Sequence, residues 1–250
     1  MFKNFNNVLT MLLVILIVAI LGVVGYFAYS MVAQQKVTTT AQTTIDEFEK
    51  ATTAVKKKQK KAVENAVTNE VTTEDGEGRD ALAELNALME NKAAEEQLAQ
   101  QTEDVEPEKV YMENYEVMGR IEIPKTKVDY PVLGELTKKS LEIAVAIAYG
   151  PGLNQVGNTV IYGHNYRNSM FFSNNKKLLK GDKIYITDQY GERVEYTIYR
   201  VYQTTADDAT YMTRDTEGRR EISLQTCTDD SSKRIIIWAA EGAQVLQTAE

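Results

Sequence analysis

Residues 8–33 form a run of 26 residues without a charged side chain, "VLTMLLVILIVAILGVVGYFAYSMVA". As an α-helix the run would be about 39 Å long, because each residue adds roughly 1.5 Å. The hydrocarbon core of a bilayer is roughly 30 Å thick. The run is also longer than the apolar core of a signal peptide, which has roughly 7–15 residues. We therefore predict a single transmembrane signal-anchor helix at 8–33, preceded by a short tail at 1–7.

The orientation of this helix is predicted from the residues that flank it. Lys3 and the amino terminus lie on one side, and Lys36 lies on the other. The short N-terminal flank favours a cytoplasmic N-terminus and an extracellular C-terminal part, although the difference in positive charge is small. The alternative is a cleaved signal peptide, for which "AYS" at 28–30 would be a poor cleavage site.

The segment 34–110 has a composition that is poor in core-forming side chains. It contains no Tyr or Trp, a single Phe (Phe48), 17 acidic residues and 10 basic residues. Such a segment cannot bury a core alone, so we predict a charged stalk that is part helical and part disordered. Leucines three residues apart predict a helix within 79–96. The basic cluster "KKKQKK" at 56–61 is interpreted as a solvated helical face, with contact to an anionic polymer as the alternative.

Charge and residue counts exclude several classes of site. The formal net charge of −8 argues against general binding of nucleic-acid phosphate. The single cysteine, Cys227, cannot form a disulfide within the chain. It is therefore a buried thiol, an intermolecular bridge or a reactive thiol. With one histidine, His164, a zinc site built from several Cys and His ligands is excluded.

Residues 111–250 have the composition of one folded domain. Twelve of the fourteen tyrosines lie at or beyond Tyr111. Frequent strand patterns and little helix predict a mostly-β barrel or sandwich. The predicted elements are a helix at 137–148 that begins near Thr137 and strands at 119–124, 128–133, 158–164, 182–188, 193–203, 221–227 and 234–240.

The strand "EISLQTC" places the cysteine on its more polar side. Alternation puts Ile222, Leu224 and Thr226 on one face, and Ser223, Gln225 and Cys227 on the other. If 221–227 and 234–240 form a hairpin, Arg234 lies across from Cys227. A guanidinium near a thiol favours the thiolate and can donate hydrogen bonds to an oxyanion. Taken alone, Arg234 would be read as a surface charge at a strand end, and Cys227 has a structural thiol as its alternative.

His164 ends the apolar strand "NTVIYGH" and is the only imidazole available to the only thiol. Cysteine nucleophiles need a proton acceptor and later a proton donor for the leaving amine. The three residues together therefore predict an acyl-transfer site. His164 and Cys227 are 63 positions apart, so only the fold can bring them together.

At these residues the domain resembles the sortases, the membrane-anchored cysteine transpeptidases of Gram-positive bacteria. The resemblance covers about 117–240 and rests on five short motifs in the right order. These are "GRIEIPKTKVDYPVL" (119–133), "VIYGHN" (160–165), "LLKGDKIYI" (178–186), "SLQTC" (223–227), which matches the TLxTC nucleophile motif with Ser at its first position, and "KRIIIWA" (233–239).

The resemblance implies an eight-stranded sortase-type β-barrel with short helices and a substrate groove that ends at the site. It implies cleavage of an LPxTG-like sorting signal between Thr and Gly, without a cofactor. By position, Cys227 would form a thioester, His164 would protonate the departing amine, and Arg234 would hold the substrate backbone and the oxyanion. Thr226 is expected to contact substrate. The acceptor would be an amine of a peptidoglycan precursor or a pilin lysine, and the attached products would be surface proteins.

Two segment lengths in this sequence bear on which sortase class it resembles. Residues 204–220 leave no room for the long helical insertion of class B enzymes, and Arg234 follows Cys227 by only seven positions. These lengths resemble class D-like or some class A-like members, and the class stays open. Asp207 and Asp208 could bind calcium as in some class A members. Two carboxylates are a poor set for an ion that takes six to eight oxygens, so a solvated loop and no metal is the prediction.

Two other functions are compatible with the same residues. On the same fold, a hydrolase would use water to resolve the thioester. A stalked surface module that only binds proteins would use Cys227 structurally. The second is disfavoured because it does not require Cys, His and Arg at strand ends in this order.

Overall fold

A computed structural model describes residues 2–68 and 106–243 of the chain, with side chains at 9–61 and 106–243. The chain divides into two compact units, 1–43 and 44–250. The elements are α1 (Phe2–Thr68), β1 (Tyr111–Met112), β2 (Tyr115–Ile123), β3 (Val128–Leu133), α2 (Lys138–Ile143), β4 (Val145–Tyr149), β5 (Gly157–Tyr162), β6 (Lys183–Asp188), β7 (Arg193–Thr205), β8 (Arg220–Cys227) and β9 (Lys233–Glu241), with short 3-10 helices at Pro124–Thr126 and Asn175–Lys177.

The first unit is helical and leaves its apolar side chains uncovered. Leu12, Ile15 and Val18 each keep more than half of their surface exposed, at 59%, 53% and 63%. Within the described residues, α1 is the one helix long and apolar enough to cross a membrane by length and composition. A helix that is apolar on every side needs an apolar environment around it, so α1 is a candidate membrane anchor, and its orientation stays a prediction.

The second unit contains the expected eight-stranded barrel. Strands β2 to β9 follow one another in the order β2-β3-β4-β5-β8-β9-β7-β6, and β6 pairs with β2 to close the sheet. The two-residue β1 adds a short pairing to the start of β2. The inward side chains include Ile121, Leu133, Ile161, Ile184 and Leu224, all fully buried. The predicted mostly-β fold class is thus confirmed.

The predicted helix at 137–148 is correct at its start and wrong at its end. Thr137 is the N-cap: its hydroxyl accepts from the Ser140 backbone N–H, and the Ser140 hydroxyl accepts from the Thr137 N–H, which is a capping box. The helix ends at Ile143, and Val145 begins β4, parallel to β3. A short apolar run buried on both faces fits a helix or a strand equally well by periodicity, and strand pairing decided between them.

The last part of α1 lies against the barrel rather than standing apart as a stalk. Phe48 and Val55 are 3% and 2% exposed, and Glu49 forms an ion pair with Arg120 on β2. The remaining predicted stalk at 69–105, including the helix expected within 79–96, lies outside the described residues. The lysines of the basic cluster at 56–61 are exposed on α1.

Candidate active site

Cys227 and Arg234 are direct neighbours across the β8–β9 hairpin. Their Cα atoms are register partners in this antiparallel pair, so their side chains share one face of the sheet. The turn between them is closed by the Thr228 N–H, which donates to the Lys233 carbonyl at 3.0 Å. The hairpin expected from the sequence is therefore present, with the expected register.

His164 arrives at the same end of the sheet from β5, which runs parallel to β8. Tyr162 is the register partner of Gln225, and the Gly163 N–H donates to the Gln225 carbonyl at 3.1 Å. Continuing this register by two residues sets His164 level with Cys227. The ends of β5, β8 and the start of β9 thus bring His164, Cys227 and Arg234 into one row.

Gly163 leaves room for two side chains that pack closely against the backbone just before the histidine. A Cβ atom at this position would lie 2.6 Å from Cδ2 of Phe172 and 2.9 Å from Cγ1 of Val145. The Phe172 N–H also donates to the His164 carbonyl at 3.1 Å. A side chain at 163 would therefore displace the ring of Phe172, the residue whose backbone N–H holds the His164 carbonyl.

The imidazole is partly buried, and its surroundings favour the neutral form. Burial is the main effect and lowers the pKa of His164 below its ordinary value, while the Glu142 carboxylate partly opposes it. The Tyr166 ring lies beside the imidazole, with the ring centroids 4.9 Å apart. A neutral imidazole is the form that can accept a proton from a thiol.

Arg234 is partly exposed, and its guanidinium folds back onto the turn. Its Nη1 donates to the carbonyls of Ser231 at 3.3 Å and Lys233 at 3.2 Å. Cys227 is also partly exposed. The thiol and the guanidinium are therefore both within reach of a peptide laid on this face.

Thr226 is predicted to contact substrate, but its side chain lies on the core face of β8. It is 2% exposed, and its Oγ1 has no hydrogen-bond partner among the residues that the structure describes. Direct contact with a peptide on the opposite face is therefore restricted to its main chain. The substrate contact stays a prediction.

The polar face of β8 is not open along its length, as the alternation alone suggested. The loop 206–219 covers it, so Ser223 and Glu221 are 0% and 1% exposed. Tyr211 from this loop hydrogen-bonds to the Tyr162 hydroxyl at 2.7 Å and to the Gln225 side chain. Tyr211 thus covers the Tyr162–Gln225 pair, which lies next to the row of proposed catalytic residues.

A buried polar network attaches the same loop to the sheet. Asn158 Nδ2 donates to the carbonyls of Tyr211 at 3.0 Å and Met212 at 2.9 Å. Arg214 forms an ion pair with Glu221, and its guanidinium lies 4.6 Å from the Trp238 ring centroid. A buried carboxylate needs such a partner, because leaving it unpaired is costly. Because this network supplies their partners, Glu221 and Ser223 of β8 can be buried.

The acidic pair considered for calcium is used within its own turn. Asp208 accepts hydrogen bonds from Thr204 and from the Thr210 N–H and hydroxyl, and these contacts lower its pKa. Within 9–61 and 106–243, no group of three or more His, Cys, Asp or Glu side chains could hold a metal ion.

Three residues that no sequence pattern indicated tie the two strand ends together: Asn165, Asp229 and Lys176. Asn165 Nδ2 donates to the Cys227 carbonyl at 2.9 Å and to Asp229 Oδ1 at 3.0 Å, and Lys176 pairs with Asp229. The only sequence signal was that Asn165 directly follows His164 in "VIYGHN".

Comparisons with known proteins identify the family that the folded domain resembles. The family model of the Sortase domain matches residues 121–241. Sortase A of Bacillus anthracis is 34% identical over 129 residues, which cover 50% of this chain and 60% of that protein. Sortase A of Streptococcus agalactiae is 27% identical over 145 residues, which cover 55% of this chain and 58% of that protein. The chain thus spans about three fifths of the length of these relatives.

Among solved structures, a lid mutant of sortase A from Corynebacterium diphtheriae is similar, with a TM-score of 0.48 and 25% identity, covering 60% of this chain and 79% of that one. The domain match runs from the last residues of β2 to the end of β9 and includes Cys227, His164 and Arg234. Residues 121–241, nearly half of the chain, are a sortase domain.

Proposed function

We propose that this chain is a membrane-anchored sortase, a cysteine transpeptidase that cleaves an LPxTG-like sorting signal between Thr and Gly. The single observation that carries the proposal is the meeting of three strand ends, where Cys227 faces Arg234 and His164 continues the adjacent parallel strand. A thiol, an imidazole and a guanidinium are the groups that acyl transfer through a thioester requires.

In the first half-reaction, His164 accepts the thiol proton and the sulfur of Cys227 attacks the threonine carbonyl carbon. The tetrahedral intermediate collapses with cleavage of the Thr–Gly C–N bond. His164 returns its proton to the glycine nitrogen, which leaves as an amine. The lowered pKa of His164 keeps the imidazole neutral before the reaction and makes its protonated form a better acid for the glycine nitrogen.

Arg234 is proposed to bind the substrate backbone and to stabilise the oxyanion. Its Cα is the partner of the Cys227 Cα across the ladder, and Arg provides several N–H donors on a rigid plane. Thr226 is proposed to contact the substrate through the main chain that leads into Cys227.

In the second half-reaction, an amine attacks the thioester carbonyl carbon and a C–N bond forms as the C–S bond breaks. His164 transfers the amine proton to the departing sulfur, which regenerates the Cys227 thiol. The proposed acceptors are an amine of a peptidoglycan precursor and a pilin lysine, which would fix the cleaved surface protein in place. The alternative is that water resolves the thioester, which would make the chain a sortase-fold endopeptidase. The second substrate distinguishes them, since the first half-reaction is identical.

The proposed location follows from the apolar helix. We place the helix at 8–33 in the cell membrane, the residues at 1–7 in the cytoplasm and the barrel on the extracellular side. This arrangement supports the function, because sorting signals and cell-wall amines are outside the cell.

The test uses the full chain in detergent micelles with a quenched fluorescent LPxTG peptide, with and without a glycine peptide as acceptor. Wild type is compared with Cys227→Ala, which removes the thiol. Since Cys227 is the only cysteine, mass spectrometry of the trapped acyl-enzyme identifies the nucleophile without ambiguity. Glycine peptides stand in for the cell-wall amine.

The transpeptidase would be established if wild type cleaves the peptide and forms a ligated product with the amine, and if Cys227→Ala does neither. Cleavage without ligation to any amine offered would favour the endopeptidase. If no sorting peptide is cleaved or forms an acyl-enzyme, the binding module becomes the better description, and its binding should then be unchanged in Cys227→Ala.

A further inference from the structure

The side chain of Asn165 bridges the histidine segment to the cysteine strand. Its Nδ2 donates to the main-chain carbonyl of Cys227 at 2.9 Å and to Asp229 Oδ1 at 3.0 Å. One amide therefore holds both the residue proposed as nucleophile and the turn that follows it. Because Asn165 is bonded directly to His164, the bridge acts one peptide unit from the imidazole.

The orientation of this amide is determined by its surroundings. Asn165 Oδ1 accepts from the backbone N–H of Arg167 at 3.0 Å. The two groups on the other side, the Cys227 carbonyl and the Asp229 carboxylate, can only accept. Only the amino group of the amide can satisfy both, so a flipped amide would place an oxygen against two other oxygens.

The Asp229 end of the bridge is itself held in place. Lys176, from the 3-10 helix that follows the histidine loop, forms an ion pair with Asp229 Oδ2. Lys176 is the main cause of a lowered pKa for Asp229, and Asn165 adds to it. The turn after Cys227 is thus connected to both ends of the segment 165–176, although these contacts are partly exposed to solvent.

Resting on the proposed function, we propose that Asn165 is a positioning residue that sets the distance of His164 from Cys227 through its bond to the Cys227 carbonyl. The parallel ladder of β5 and β8 ends at the Tyr162–Gln225 pair and at the Gly163 N–H bond to the Gln225 carbonyl. Beyond that point, the Asn165 amide is the hydrogen bond that joins the two segments at the level of the active residues. Errors of about 1 Å in such geometry can cost on the order of 100-fold in rate.

The test compares Asn165→Ala with a matched control, Asn168→Ala, in the full chain in detergent. Asn168 lies in the same loop, and its side chain contacts Met170 through Nδ2 and Oδ1. The readouts are the kcat and KM for the sorting peptide, the thermal midpoint, and the pH profile of iodoacetamide alkylation of Cys227. Alkylation needs no sorting peptide, so it reports on the thiol and its imidazole even if the proposed function fails.

We expect Asn165→Ala to lower kcat by about tenfold or more with little change in KM, as expected for loss of alignment rather than binding. Its thermal midpoint should match that of Asn168→Ala. Its alkylation profile should move in the same direction as that of His164→Ala. In the His164→Ala background, Asn165→Ala should have no further effect on alkylation, because a positioning residue acts through the group that it positions.

Two results would overturn the proposal. In the first, Asn165→Ala has the same kcat and alkylation profile as Asn168→Ala. In the second, the effects of Asn165→Ala and His164→Ala on alkylation multiply in the double variant, so that Asn165 acts independently of the imidazole. If wild type cleaves no peptide, the proposed function fails, while the alkylation comparison still decides the role of Asn165.

Discussion

Cys227, the last residue of β8, and Arg234, the second residue of β9, are Cα partners across the β8–β9 ladder. The five residues between β8 and β9 form a turn that returns the chain, so that the pairing is determined by the hairpin itself. The Arg234 backbone is therefore fixed opposite Cys227 by local structure, while its side chain, which contacts the Ser231 and Lys233 carbonyls, can rotate toward a substrate.

Replacing Arg234 tests whether this adjacency serves catalysis. We expect Arg234→Ala to lower kcat for peptide cleavage by about 100-fold or more, the range found when a donor to an oxyanion is removed. Arg234→Lys should recover only part of the loss, because an ammonium cannot reproduce the planar donor set. The control is Lys233→Ala, an exposed cation one position away. Equal activity in Arg234→Ala and Lys233→Ala would refute the assigned role.

The pKa of His164 can be measured directly, because it is the only histidine. We expect its imidazole to titrate below the unperturbed value of about 6.5, since burial disfavours the charged form. Glu142→Gln should lower this pKa further, because it removes the charge that opposes the effect of burial. An NMR titration of the ring protons measures both, with Glu135→Gln as a control. An unchanged or raised pKa in Glu142→Gln would contradict the electrostatic assignment.

The same shift has a consequence for stability. The folded state binds the imidazole proton less readily than the unfolded state, so more protons are bound on unfolding in the window between the folded pKa and about 6.5. The contribution of His164 to the free energy of unfolding is fully present above about pH 6.5 and is lost as the pH falls through the folded pKa. The free energies of unfolding of wild type and His164→Gln, measured by denaturation across this range, should differ by a constant amount at high pH. The difference should change as the pH falls below about 6.5.

Gly163→Ala tests the close approach of Phe172 to the backbone. A Cβ atom 2.6 Å from the ring forces a shift in a fully buried side chain, and overpacking of this kind costs about 1–3 kcal/mol. We expect that loss in denaturant unfolding, with reduced activity because the Phe172 N–H holds the His164 carbonyl. In the Phe172→Leu background the cost of Gly163→Ala should be smaller. An equal cost in both backgrounds would show that the ring is not the cause.

Phe48→Ala tests whether the end of α1 is part of the folded barrel. Phe48 is 3% exposed, and truncation of a buried Phe costs about 3–5 kcal/mol. We expect a loss at or below the low end of that range, because one side of α1 faces solvent. Lys57→Ala, an exposed position on the same helix, is the control. A chain shortened to 111–250 should be less stable than one that begins at residue 44, and equal stability would exclude a structural role for the helix.

Local patterns were enough to predict much of this domain. Alternation located β8 and β9 and the Cys227–Arg234 pairing, because a hairpin brings together residues that are near in sequence. Thr137 was recognised as the start of α2, because an N-cap acts within one helical turn. The same local reasoning was wrong at Val145, where β4 is buried between β3 and β5 and its apolar run has no diagnostic period.

The packing of distant segments could not be predicted in this way. The alternation in the sequence predicts that the polar face of β8 is exposed. In the structure, Tyr211 and Arg214 of the loop 206–219 cover it. The docking of Phe48 and the bridge from Asn165 to Cys227 depend on contacts between segments more than 60 residues apart. Such contacts leave no periodic pattern in the sequence, because the two segments come into contact only when the barrel has closed.

By itself, the sequence determined the chemical groups available: one thiol, one imidazole and an arginine placed by a hairpin, behind an uncharged run long enough to span a bilayer. Only the tertiary structure decided that the strand leading to His164 lies beside the strand that ends in Cys227. The parallel pairing of β5 with β8 requires a long crossover connection, so the position of His164 is set by closure of the whole barrel and not by any local pattern.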